Sequence, residues 1–167
     1  MNRTVCMSRC RVLGFSLVEL LVTLALVGVA AAVVLPLQSV VEQRAKEVEL
    51  RDALRTVRRA LDEYKAAADA GIINKPTGTS GYPLNLDVLV DGVPRSSAAT
   101  TAQAPLRFLR RIPRDPFFLD RSVPDAKTWR VRSYASPPGE FTGGADVFDI
   151  SSGSERLALD GSRLADW

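Results

Sequence analysis

The chain has 167 residues, room for one modest domain and an anchor, with 22 basic and 19 acidic residues, a net charge of +3 and no histidine. Arg3, Arg9, Arg11 and both cysteines, Cys6 and Cys10, fall within residues 1–14, which hold no acid, so 19 basic groups balance 19 acidic ones in residues 15–167. Those residues therefore lack a nucleic-acid binder's excess charge, the histidine of common acid–base catalysis and any thiol for nucleophilic or disulfide chemistry.

Residues 15–37 are a nearly uninterrupted apolar run of 23 residues, in which Ser16 and Thr23 are the polar exceptions and Glu19 the one charge. As a helix that length crosses about 30 Å of hydrocarbon. The arginines before it place residues 1–14 on the cytoplasmic side. An ordinary secretory signal is cut after its apolar segment. Here Leu35-Pro36-Leu37-Gln38 leads straight into charged sequence with no small-residue site. Glu19 is costly, by about 2.5–3.5 kcal/mol at the centre of an inserted helix. It either snorkels to the interface from its place near the helix end or pairs with a cation in the same layer. Proline removes a helical hydrogen bond, so Pro36 either marks the membrane exit or, with Gly28, forms a segment that bends when copies pack together.

The helix is expected to continue. Leu50, Leu54, Val57, Leu61 and Tyr64, with Ala53, Ala60 and Ala68 beside them, form one apolar stripe. Glu47, Arg51, Arg58 and other charges are assigned to solvated faces, with Glu47–Arg51 as a short-range ion pair. Gly71 is the expected left-handed cap. The helix from Phe15 is then about 55 residues, or roughly 80 Å.

Residues 72–105 are a variable, turn-rich connector, with Asn85-Leu86-Asp87 opening a short helix and 96–102 forming a surface loop. Arg107, Arg110, Arg111 and Arg114 make a basic cluster read as a solvated face. Residues 128–167 read as antiparallel strands: Trp129–Tyr134, Val147–Ile150 and a third at Leu157–Leu159. Gly71, Gly78 and Gly81 lack the spacing of a phosphate loop. Asp146 and Asp149 are close in sequence but read as turn and surface residues. No enzyme is expected.

Several of these features together resemble type IV pilins and pseudopilins. They are the basic residues of 1–14, the Gly14–Phe15 junction, Glu19 and the apolar helix. Leu109-Arg-Arg-Ile-Pro-Arg-Asp-Pro-Phe117, Asp146-Val-Phe-Asp-Ile-Ser-Ser-Gly-Ser154 and Asp160-Gly-Ser162 with Asp166-Trp167 resemble segments of type II secretion system major pseudopilins. The resemblance implies an α+β pilin-like fold, in which a long N-terminal helix, half transmembrane (15–37) and half amphipathic (38–71), packs on a small C-terminal antiparallel sheet within 72–167. It implies cleavage of leader 1–14 between Gly14 and Phe15 by a prepilin peptidase, N-methylation of Phe15, and assembly through Glu19 and Pro36. Glu19 of one subunit would neutralise the Phe15 amine of its neighbour.

The implied function is a structural subunit of a periplasmic pseudopilus that drives protein export. Its implied partners are further copies in a helical filament, other pseudopilins, the peptidase, an inner-membrane assembly platform and the membrane itself, with no nucleic acid. The protein would be a single-pass inner-membrane protein with its C-terminal domain in the periplasm. The alternatives are a surface type IV pilus subunit and a membrane-anchored binding domain. No cofactor is expected beyond a calcium ion, for which Asp149 and Asp160, with Ser151 and Ser162, are the candidates; Arg156 in the same loop works against it.

Overall fold

The structure is a computed structural model and describes residues 15–96 and 104–167, with the backbone alone at 33–37. Gly14, the cysteines, the rest of the leader and most of the 96–102 loop lie outside the described residues. Helix α1 spans Leu17–Asp69 and α2 spans Val88–Asp91, while strands β1 (Trp129–Arg132) and β2 (Asp149–Ser152) pair antiparallel. Single 3₁₀ turns at Asp125–Thr128 and Leu164–Asp166 flank the strands. The described residues divide into two units between Val40 and Val41, and α1 contributes to both.

The unit from residue 41 onward is built on the stripe of α1. Leu50, Leu54, Val57 and Leu61 are no more than 2% exposed, with Ala53 and Ala60 beside them. They pack against Leu86 and Leu89 from α2 and its approach, Ile112 and Phe117 from the 109–117 segment, Trp129 and Ile150 from the sheet, and Ala158 and Leu164 beyond it. Each large aliphatic side chain buried this way contributes about 1.5–3 kcal/mol. A satellite cluster of Ala67, Ala68 and Ile73 closes the end of the helix.

That end is a Schellman motif. Gly71 takes φ +68, its N–H donates to the Ala68 carbonyl (3.1 Å), and the Ile72 N–H donates to the Ala67 carbonyl (2.9 Å). A residue with a Cβ is strained in that conformation, which is why glycine is here. The chain then turns back to bury Ile73.

Three expectations need correction. The first concerns the sheet. Its register runs from Trp129↔Ser152 to Arg132↔Asp149 and stops short of Ser133 and Tyr134. At that point the Asp146 carboxylate accepts the Ser133 hydroxyl (2.6 Å) and the Tyr134 N–H (2.9 Å), which turns the chain out of the ladder. Pairing therefore covers 149–152 and not 147–150. Leu157–Leu159 is no third strand, but one bridge, Leu157↔Arg163, around a turn at Gly161.

The second correction concerns Glu47. It lies three residues before Leu50 and so shares the buried stripe, at 5% exposure. Its carboxylate accepts the Gln43 amide (3.0 Å) and the Leu159 N–H (2.8 Å). Arg51, released from the expected pair, reaches Asp160 (3.4 Å) and lies 4.1 Å from the Trp167 ring centroid.

The third concerns two other arginines assigned to water. Arg58 donates to Asp149 (2.7 Å), the Ile150 carbonyl (3.0 Å) and the Trp167 main-chain oxygen (2.8 Å). Arg114 donates to the Val123 carbonyl (2.8 Å), the Asp120 carbonyl and Asp125 (3.2 Å), shaping the 120–125 loop.

The stripe predicts a clear contrast in equilibrium denaturation. Leu61→Ala removes a side chain 1% exposed and is expected to destabilise the fold by about 2–5 kcal/mol. Arg55→Ala, on the exposed side of the same helix, is expected to change stability by less than about 0.5 kcal/mol. Equal losses in both would mean that the stripe is not the core.

Candidate functional site

The N-terminal half of α1 carries the predicted assembly residues. Phe15 stands just before the helix and is 83% exposed, and Glu19 lies in the first turn. A carboxylate there is favoured by the positive end of the helix dipole, so the helix itself tolerates the acid that a membrane would not. The Thr23 hydroxyl donates to the Leu20 carbonyl (2.9 Å), which removes the next polar group of the run from any need for an outside partner. Glu19 is exposed on the surface of the helix.

Every residue from 15 to 32 is exposed, and the large apolar side chains there range from 52% to 83%. The segment has no solvated polar face. A helix apolar all round is normally found within a protein interior or a bilayer, and soluble monomers rarely expose apolar patches beyond about a few hundred Å². Among the described residues no helix is long and apolar enough to cross a membrane. The described side chains of the apolar run stop at residue 32, and the run itself continues to Leu37. The helical backbone passes unbroken through Gly28 and Pro36. Pro36 has no N–H to offer the Ala32 carbonyl, so one rung of the helix is missing at that point.

The carboxylates of the C-terminal region are held separately. Asp149 is paired with Arg58 (2.7 Å) and Arg132 (3.8 Å). Asp160 accepts the Ser162 hydroxyl (2.6 Å) and N–H (2.9 Å) and meets Arg51. The Ser162 hydroxyl and amide, with Arg51, hold the Asp160 carboxyl below the usual carboxylate range. Ser151 is fully buried and Ser162 is bonded to Asp160 and to the Trp167 indole N–H (2.8 Å). Among the described residues no three acidic, histidine or cysteine side chains gather as a metal-holding group. Asp149 and Asp160 thus each face arginine, which partly balances their charge.

Sequence reasoning missed Asp115. It is 1% exposed and accepts the Ser152 hydroxyl (2.6 Å) and the Phe117 N–H (2.8 Å), while its own N–H donates to Thr128 Oγ1 (3.2 Å). It fastens the 109–117 segment to the end of β2. The proline on each side of Arg114-Asp115 was the available signal, since it marks a chain fixed into a turn.

Asp146 is a further anchored carboxylate. Partial burial pushes its pKa up, but the hydroxyls of Ser133 and Ser80 and the Tyr134 amide outweigh it and hold the group below the usual carboxylate range. A carboxyl depressed on folding stabilises the fold fully above its unfolded value, about 3.9, and loses that contribution as the pH falls through the folded value. Asp146→Asn is therefore expected to lower the melting temperature more at pH 7 than at pH 3. A deficit equal at both pH values would show that the ionised form is not what the turn requires.

Residues 9–35 match the family described as the prokaryotic N-terminal methylation motif. The match covers the apolar helix from its basic approach and includes Gly14, Phe15 and Glu19. It marks a prepilin-like N-terminus, supporting a type IV pilin-like structural subunit that a prepilin peptidase processes and that assembles with other such subunits. The motif also implies a membrane-anchored protein. Neither the curated proteins nor the solved structures gave a match.

Proposed function

We propose that this chain is a pseudopilin: a subunit whose apolar helix anchors it in the inner membrane and then forms the core of a periplasmic filament that drives protein export through a type II secretion system. The observation that carries this reading is the 15–32 segment, apolar on every face, exposed throughout, and bearing one carboxylate inside a methylation motif. Such a helix needs a lipid or helical environment around it. Further copies of itself supply one, and a filament built that way has no bare apolar surface at its centre.

Cleavage after Gly14 would create an α-amino group on Phe15, four residues before Glu19. Within one stack of helices, the carboxylate of one subunit would neutralise the amine of the next and set the axial step. The pairing matters because of its alternative: a buried charge left without its partner is destabilising by about 3–5 kcal/mol. The absence of cysteine after residue 14 favours the pseudopilus over a surface pilus, whose subunits commonly close the C-terminal region with a disulfide. The compact unit from residue 41 would then decorate the filament.

Two measurements test this. Co-expression with a prepilin peptidase is expected to give a membrane form that begins at Phe15, read by intact mass; retention of Met1 in that form would remove the proposed processing. Glu19→Gln is expected to insert and be processed normally, yet to raise the concentration needed for assembly by about a hundredfold or more. Filaments of normal length and yield from the variant would take Glu19 out of the mechanism.

A further inference from the structure

A cavity of about 910 Å³ opens on the unit from residue 41, between the 74–84 connector and the 133–146 turn. That volume lies within the range of about 300–1,000 Å³ typical of small-ligand sites. We propose that it is a binding site for a neutral saccharide. The inference does not depend on the filament reading, because none of its residues belongs to the apolar helix half.

Tyr64, Tyr82 and Tyr134 give the lining its aromatic surface among small and polar residues. The rings of Tyr82 and Tyr134 lie with planes 24° apart and centroids at 6.0 Å. Phe148 packs edge-on to both, at 5.1 and 5.6 Å, so neither tyrosine is held by the other alone. Tyr134 remains 61% exposed despite this support, which leaves ring surface available to a ligand. Gly144 lets the opposite loop approach closely: a Cβ there would stand 2.6 Å from Ser133 Cβ.

The charges on and around the cavity favour a neutral ligand over an ionic one. The one carboxylate lining it, Asp146, is occupied by Ser133, Ser80 and the Tyr134 amide. A cationic ligand would compete for the aromatic cluster with Lys65, 5.8 Å from the Tyr82 centroid, and Arg132, 4.6 Å from that of Phe148. An anion finds no basic side chain in the lining and one acid.

What the cavity does offer is neutral hydrogen bonding. The hydroxyls of Tyr64, Tyr82 and Tyr134 and the Asn74 amide make no hydrogen bond to another described residue. Burial pushes the phenols of Tyr64 and Tyr82 above their ordinary value, so they remain protonated donors at neutral pH. A sugar ring matches this set. Its C–H face rests on an aromatic ring, and its hydroxyls both donate and accept, as phenols and amides do. A proline-rich peptide also favours aromatic grooves, but its prolines bring carbonyl acceptors and no N–H, which leaves the acceptor half of the lining unmatched.

The test uses the full chain in a zwitterionic detergent without a sugar headgroup. Maltohexaose, cellohexaose and chitohexaose are titrated separately up to about 10 mM, enough to saturate a site with a Kd of about 1 mM. Tyrosine fluorescence and saturation-transfer NMR are the readouts. At least one oligosaccharide is expected to bind saturably with transfer from tyrosine protons. Tyr134→Ala is expected to weaken it by about tenfold or more with the fold retained by circular dichroism, and Asn74→Ala to weaken it without touching the aromatic cluster. The proposal is overturned if none of the three binds saturably, if binding survives both substitutions, or if decaproline alone occupies the Tyr134 site.

Discussion

The contact between one face of α1, from Glu47 to Tyr64, and the segments that follow it governs the whole unit from residue 41. Little else there is regular. The sheet has two strands of four residues each, and α2 is a single turn. Neither a two-stranded ladder nor one helical turn is independently stable in water. Leu50, Leu54, Val57 and Leu61 supply the surface on which these short pieces become permanent, because each brings its own apolar residue to the same stripe. The helix gains in return. Its stripe would otherwise expose four large aliphatic side chains along its length.

Around this apolar centre the polar groups act as fasteners. Glu47 caps the near end of the stripe by holding the Leu159 amide, Arg58 ties β2 and Trp167 to the side of the helix, and Asp115 joins the 109–117 segment to the end of β2. Each joins positions far apart in sequence through charge-assisted hydrogen bonds, which are roughly twice as strong as neutral ones. The arrangement explains how a domain with little secondary structure keeps a single arrangement: irregular segments are specified by side-chain bonds where a ladder of backbone bonds would otherwise do it.

Much of this was legible in the sequence, and the boundary of legibility has a physical cause. Periodicity exposed the long helix, its buried residues and its glycine cap, since those depend on spacing along one element. The α+β class followed from the alternation in Trp129–Tyr134 together with the resemblance to pilins. The strand ends were misplaced because Asp146 intervenes from outside the ladder, and a side-chain bond of that kind leaves no periodic trace. Glu47, Arg51 and Arg58 were assigned to water by residue type, although position on the stripe and reach across it decided otherwise. At the N-terminus the reverse holds. The apolar run, Glu19 and the Gly14–Phe15 junction carry their message in residue identity alone, and the matched methylation motif rests on the same residues.

The long-range character of the Arg58 and Glu47 bonds bears on how the chain reaches its fold. Arg58 and Asp149 are 91 residues apart, Arg58 and Trp167 are 109 apart, and Glu47 and Leu159 are 112 apart. Contacts of such separation must close large loops before they repay the entropy spent, so they slow folding relative to a locally bonded protein. During synthesis the stripe of α1 emerges before its cover. For that interval a helix already apolar at its N-terminal half is uncovered along its second half as well. The nascent chain therefore passes through a window in which it is prone to stick to other copies, and that window closes when the segment with Leu164 and Trp167 comes down on the helix.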